Sequence, residues 1–496
     1  MNVVETLIRL ATGDEGRPPI GQSADIRDID NSLNAIHDLF AIEASLAPDT
    51  LARYGRAWTR SHLQDGDVRR TADLANRARD DFAALVTLGI GGSDLSARVF
   101  HDVLNPAYHN HLTADERGGA PEVYFAGDTF DPRRLRALLA MLTRRGTPDR
   151  TLFNVISKSG RTGETIGALM VVRDWLSRHT PGGATGWHGC IVATTGRDAG
   201  SALSELHRKR PFYGDALLPV PEGVGGRFSA FSPVGTFFLA MTAGTGTSPG
   251  SRIRQLLEGV RWADARWNLP WRDERNIAWR LARWLHLQER FGERNTLVFY
   301  NYADNRRLGD WFQQLYDESL QERGGGLHVV PAVGPAANHS ILNGIVGGRS
   351  DRAVLFVHWE DLGGDTRIPA DTDIGGGMAG FGGLRMGEAQ SASYLGTARD
   401  FSARGIPNAT LHVARRDERH LGALMRVLMD TVAVKGRLQG QHVNDAGEVD
   451  PAAELTYSQD GVEGYKQRTR DLALQMKSPG AGPGLPVVPP FRSDYL

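Results

Sequence analysis

The sequence predicts an α/β protein built on two doubly wound parallel sheets, with helical N- and C-terminal extensions. Three observations lead to this. Short apolar runs recur along the chain, each broken by a turn and followed by a stretch with helical spacing. The scheme occurs twice, once between residues 82 and 194 and again from 296 to about 435. At 496 residues the chain is also longer than one compact core supports.

The elements follow in order. Residues 1–80 show apolar spacing of three to four among repeated Arg/Asp pairs, and read as a helical extension that packs rather than as part of a site. The first α/β unit is expected over 81–250. Its first strand lies within 83–90 and is closed by Gly91-Gly92-Ser93; further strands follow at 122–126, 151–156 and 189–194. A helical connection spans 251–292. The second unit, 293–440, has strands at 296–300, 353–357 and 410–413 and a long helix from Glu418 to about Lys435. The glycine-rich stretch 375–387 interrupts it, either as a lid-like loop or as a passive surface insertion. Residues 441–496 form a C-terminal segment with a helix near 467–475 and an irregular tail from 478 to 484.

Composition narrows the function. Hydrophobic residues make up 41% of the chain and charged residues 23%, the balance of a globular protein. A net charge of -1 gives no overall field to recruit nucleic acid or an anionic membrane. Cys190 is the single cysteine, which excludes an intramolecular disulfide and a cysteine metal cluster within one chain. The first residues lack a basic leader with an apolar core, and no run approaches the ~18 apolar residues of a membrane span. A cytoplasmic protein is expected.

Several segments could carry chemistry. Ser157-Lys158-Ser159-Gly160-Arg161-Thr162-Gly163-Glu164-Thr165 follows a strand and opens a helix, where hydroxyls and free backbone N–H groups converge on the positive end of the helix dipole. It lacks a P-loop pattern and suits a monophosphate; a helix cap with Ser/Thr enrichment is the structural alternative. Gly89-Ile90-Gly91-Gly92-Ser93 is a tight turn whose position, a strand or two from that loop, places it on the same crevice. Arg227, in Gly225-Gly226-Arg227-Phe228-Ser229, could approach a substrate closely and stabilise an oxyanion, or form an ordinary ion pair. Glu318 falls near the end of an amphipathic helix, with nothing local to set it above other acids as a general base. His339 stands alone in Ala337-Asn338-His339-Ser340. His101, His109 and His111 invite a metal reading, but their spacing lacks an i,i+4 pair and a carboxylate partner. The polar-apolar mix from Tyr457 to Lys466 could be a turn into a helix.

Taken together, these segments resemble the glucose-6-phosphate isomerase family, which is built from two sugar-isomerase (SIS) domains. The similarity runs in order from about Leu85 to Lys466. The Gly-Gly-Arg-Phe-Ser segment resembles one family signature and the Gln459–Lys466 segment the other, while the 157–165 loop is typical of SIS domains in general. The resemblance implies an aldose-ketose isomerase that moves a proton between C2 and C1 of glucose 6-phosphate through a cis-enediol, a step of glycolysis and gluconeogenesis. It implies that Ser157, Ser159 and Thr162 hold the phosphate, with Lys158 helping and Ser93 close by. Glu318 would be the base, Arg227 would stabilise the enediolate oxygen, Gln459 would contact the sugar, and the C-terminal segment would complete the site. His339 and Lys466 would assist ring opening, with the histidine supplied across a homodimer interface. No metal or organic cofactor is expected.

The chain departs from the family pattern at Gly160-Arg161, where many relatives carry Phe or another small residue followed by Thr, and at Ala336-Ala337-Asn338 before the histidine. These departures bear on sugar preference and subunit contacts. They leave open an isomerase of mannose 6-phosphate or of a 6-sulfo sugar, or a non-catalytic SIS regulator. Such a regulator would not need Glu318, His339 and Lys466 together.

Overall fold

Residues 84–88, 151–156 and 353–358 are buried at every position, as strands covered by helices on both faces must be. In a computed structural model of the chain, such runs form two separate sheets. The structure describes residues 6–13, 23–181, 183, 186–196, 200–370, 380–444 and 446–477. Among these the strands are β1 (Ile8–Thr12), β2 (Ala84–Leu88), β3 (Glu122–Ala126), β4 (Thr151–Ile156), β5 (Ile191–Gly196), β6 (Leu217–Val220), β7 (Thr296–Tyr302), β8 (His328–Val333), β9 (Arg352–Asp361) and β10 (Asn408–Arg415).

The first sheet has the order β3-β2-β4-β5-β6, all parallel. The order reverses between β2 and β4, so the turns leaving these two strands open the crevice where ligands of such sheets bind. The second sheet has the order β1-β10-β9-β7-β8 and is parallel except at β1. The helix Glu418–Leu438 lies against helices Pro249–Trp267 and Ile277–Arg290, with Leu421, Leu424, Met425 and Leu428 fully buried. Each such side chain contributes about 1.5–3 kcal/mol by leaving water. Both sheets and the helical extensions agree with the expected architecture.

Three strands depart from the sequence reading. β6 and β8 were not expected, and each carries a proline, Pro219 and Pro331. Both are edge strands, where a missing N–H leaves no gap in the ladder. β1 lies in a segment expected to be helical, yet pairs antiparallel with β10, Ile8 opposite Val413. Five residues cannot display a helical or a strand period clearly, and the partner lies at the far end of the chain. The N-terminal segment is otherwise helical, with helices Ser23–Glu43, Pro48–Arg53 and Asp65–Asp81. The tail 478–484 and residues 375–379 of the glycine-rich stretch lie outside the described residues, whereas 380–387 run into the helix Met386–Ala403.

Candidate active site

β2 and β4 are hydrogen-bonded neighbours, so the Gly91–Ser93 turn and the 157–162 loop emerge side by side. The loop is tightly held. Gly160 is left-handed at φ +64, and a Cβ there would lie 2.8 Å from the Leu203 nitrogen. The Ser157 and Thr162 hydroxyls are 3.0 Å apart, the Arg161 N–H donates to Ser159 Oγ at 3.2 Å, and Lys158 Nζ donates to the Val224 carbonyl at 3.2 Å. Thr162 occupies the N-cap of helix Gly163–His179 without bonding its own first turn. The hydroxyls and the helix N-terminus therefore face one spot suited to an anion.

The 226–228 turn lies directly on this pair. A Cβ on Gly92 would overlap the Gly226 carbonyl carbon and lie 2.5 Å from the Arg227 nitrogen. Gly92→Ala must push two backbones apart, a cost of about 1–3 kcal/mol. The expected result is a lower denaturation midpoint together with lower turnover at temperatures where the variant is folded; an unchanged midpoint would show that the two turns separate freely.

The facing wall comes from the second half of the chain. The helix Arg307–Leu320 follows β7, packs on helix Leu95–Leu104 and on the Gly91–Ser93 turn, and brings its last turn to the 226–228 turn. Glu318 sits there. Its Oε1 accepts from Gln459 Nε2 at 2.7 Å and its Oε2 from Gln314 Nε2 at 3.1 Å. Behind it, Arg227 is 1% exposed and donates from Nε to Ser319 Oγ (2.7 Å) and from Nη2 to the Thr456 and Ser458 carbonyls (2.8 and 2.9 Å). Its Nη1 is buried without a hydrogen-bond partner among the described residues and stands 3.6 Å from Glu318 Oε1. Burial pulls the guanidinium below its ordinary pKa, and the Glu318 carboxylate opposes that pull. A buried N–H with nothing to bond, beside a carboxylate at a cleft, can donate to an oxygen placed there.

The segment that grips Arg227 is itself anchored. Thr456 Oγ1 donates to Gln441 Oε1 at 2.9 Å, Arg437 pairs with the fully buried Glu454 at 2.9 Å and also with Glu43, and the Tyr457 ring packs edge-on to Phe228. It leads into helix Glu463–Lys477, where Lys466 Nζ donates to Glu463 Oε1 at 2.8 Å. On the opposite side, burial pushes the Asp94 carboxyl, next to Ser93, up to about 6 against the opposing charge of Arg98.

The expected site residues thus fall into three groups. Ser93, Lys158, Ser159, Thr162, Glu318, Gln459 and Lys466 line one cleft of about 1520 Å³. Ser157 and Arg227 form its buried backing. His339 stands apart: it is exposed, in the short turn after β8, and does not line the cleft. Asn338 is tied to the hydroxyls of Tyr300, Tyr302 and Thr397 and likewise lies outside the cleft lining. His101 and His109 are packed at right angles in the interior, where burial lowers both pKa values, that of His101 to about 4, while His111 is exposed. Among the described residues no three His, Cys, Asp or Glu side chains gather as metal ligands do.

The N-terminal segment corrects the sequence reading, because Pro48, Arg60, Ser61 and Gln64 line the cleft as well. Polar residues on a helical stretch carry no sign of what they will face. Gln314 and Ser319 were also missed. Gln314 lies one helical turn before Glu318 and is legible once Glu318 is chosen.

Comparison with known proteins agrees with this architecture. The phosphoglucose isomerase family profile matches residues 67–331, more than half of the chain. A glucose-6-phosphate isomerase of Symbiobacterium thermophilum is 32% identical over 408 residues, 82% of this chain and 86% of the relative. This chain belongs to the phosphoglucose isomerase family. A second relative, a glucose-6-phosphate isomerase of Rubrobacter xylanophilus, is 32% identical over 410 residues, covering 82% of this chain and 88% of that one. Among solved structures, a hypothetical protein of Thermus thermophilus superposes with a TM-score of 0.76 at 25% identity, covering 93% of this chain and 99% of the other. A glucose-6-phosphate isomerase of Chlamydia trachomatis shares the fold at 17% identity, with a TM-score of 0.69 over 95% of this chain and 90% of the other. The fold held in common with these two structures extends over nearly the whole chain. No helix among the described residues is long and apolar enough to cross a membrane.

Proposed function

We propose that this cleft interconverts glucose 6-phosphate and fructose 6-phosphate by moving a proton between C2 and C1 of the open-chain sugar. The observation that carries the reading is the pairing of Glu318 with the buried, unpartnered Arg227 Nη1, across one cleft from the hydroxyl-lined loop. Ser157, Ser159 and Thr162, with Lys158 and Ser93 beside them, hold the phosphate at the helix N-terminus. The sugar then extends toward Glu318.

The chemistry follows from those positions. Glu318 takes the C2 proton; the C2–H electron pair becomes the C1=C2 bond and the C1=O1 pair becomes an O1 oxyanion. That oxygen is the acceptor that Arg227 Nη1 lacks. Return of the proton from the Glu318 carboxyl to C1, with loss of the O2 proton and gain of one at O1, gives the ketose. For a carbon acid next to a carbonyl, a carboxylate and a cation suffice. Gln459, which holds Glu318 Oε1 in the absence of a sugar, exchanges that bond for one to a sugar hydroxyl.

Ring opening falls to Lys466 and to the partner subunit's His339 in a homodimer. The position of His339, exposed and outside its own cleft, supports a role in a neighbouring copy. A cytoplasmic location accords with the single cysteine, which is free and buried.

Purified protein given glucose 6-phosphate, mannose 6-phosphate and a 6-sulfo hexose tests the reading: turnover of glucose 6-phosphate far above the others is expected, and its absence would overturn it. Ser157→Ala combined with Thr162→Ala should raise KM by about one to two orders of magnitude per lost hydroxyl, as hydrogen bonds to a charged group are worth about 1.5–3 kcal/mol. An unaltered KM would move the phosphate elsewhere.

A further inference from the structure

A sugar phosphate brings close to two negative charges to the cleft near neutral pH. Acidic side chains outnumber basic ones along its walls, so the few cations decide how such an anion is received. They are Arg60, Lys158, Arg161, Lys466 and Arg470. Three of them are already hydrogen-bonded, and Arg470 stands away from the loop on the helix Glu463–Lys477. Arg60 donates to the carbonyls of Leu46 (3.2 Å) and Ala44, and Lys158 to that of Val224. Lys466 is paired with Glu463, whose carboxyl is held below its usual range by Lys466 first and by Arg470 as well.

Arg161 differs. Its backbone is fixed by the bond from its N–H to Ser159 Oγ and by Gly160, wedged in a left-handed conformation against Ala202 and Leu203. Its side chain is exposed on the cleft wall, and its guanidinium has no hydrogen bond or ion pair among the described residues. It projects from the anion loop itself, between two of the hydroxyl residues. A guanidinium offers two parallel N–H groups at the spacing of two phosphate oxygens, a match that a hydroxyl cannot make.

We propose that Arg161 is a specificity-determining residue. It closes over the outer face of the bound phosphate, opposite the Ser157–Thr162 hydroxyls, and so favours a doubly charged terminus over a singly charged one. The substrate's identity here rests on the isomerase reading, whereas the anion contact does not. Because the head group is exposed and unpaired, its removal leaves no buried partner unsatisfied, and a loss of function would not be a loss of folding.

The test compares the full chain with Arg161→Ala and Arg161→Lys in two assays. One is calorimetric binding of glucitol 6-phosphate, an open-chain phosphate that cannot isomerise. The other is steady-state interconversion of glucose 6-phosphate at low and high ionic strength. Arg161→Ala is expected to weaken glucitol 6-phosphate binding about tenfold or more and to raise KM in proportion, with kcat falling less than KM rises. Arg161→Lys should recover part of the affinity. The parent's affinity should fall more steeply than the alanine variant's with added salt, and also as pH drops from about 7.5 to about 5.5, where the phosphate gains its proton.

Dissociation constants within twofold of one another in all three proteins, with equal salt slopes, would overturn the proposal and leave the isomerase reading standing. If the parent binds glucitol 6-phosphate through Arg161 but does not interconvert the sugars, the isomerase reading falls and Arg161 keeps its role. A parent that neither binds nor turns over defeats both.

Discussion

Glu318→Gln should lower kcat for interconversion of glucose 6-phosphate and fructose 6-phosphate by about 10²–10⁴-fold, the usual contribution of a positioned general base. The substitution is close to isosteric. The carboxamide can still accept from Gln459 or Gln314 through its oxygen, so the helix end and the cleft wall should keep their shape. Binding of glucitol 6-phosphate should stay within a few-fold of the parent, because the 157–162 loop, proposed to hold the phosphate, lies across the cleft. Stopped turnover with retained binding is thus the expected pair of results. A variant that retains most of its kcat would remove Glu318 as the base.

Arg227→Lys is the second large effect, and it acts on two quantities. Arg227 satisfies Ser319 Oγ and two backbone carbonyls while its Nη1 faces Glu318. An ammonium keeps the charge but cannot serve all of these positions from one point. Any carbonyl left without a donor in the interior costs about 1–3 kcal/mol, so the segment holding Thr456 and Ser458 should loosen and become more sensitive to protease. Turnover, measured well below the unfolding midpoint, should fall by about 10²–10³-fold, as for other losses of an oxyanion donor. Near-normal turnover in a folded variant would show that the developing negative charge is met elsewhere.

The division between what the sequence reveals and what it hides has a physical basis here. β3 and β4 fall on the expected residues because each is a short, mainly apolar run bounded by turn residues at both ends. The 157–162 loop was legible for a related reason: a strand ending in a row of hydroxyls before a helix suits an anion on local chemistry, with a plain helix cap as the alternative. Glu318 is different. It becomes distinctive only because the far end of its helix meets Arg227 in the 226–228 turn and because a segment some 140 residues later places Gln459 on it, contacts that no window of sequence contains. Choosing it rested on resemblance to a family. The N-terminal wall of the cleft illustrates the same limit, since Arg60 and Gln64 look like any solvated surface until the fold sets them opposite the loop. β6 and β8 were hidden by their prolines, which argue against a strand unless its edge position is already known.

β1 has a consequence for the order in which the molecule can be assembled. Its residues leave the ribosome some four hundred residues before their pairing partners, 409–413. The first sheet, β2 to β6, needs nothing beyond residue 220 for its ladder and can close while the rest is still being made. The opening strand must wait beside it, unpaired. It is short, an arginine interrupts its apolar residues and a threonine ends them, so it is a poor template for the wrong neighbour during that interval. The first of the described strands to be made is fastened last, as a clasp on the second half.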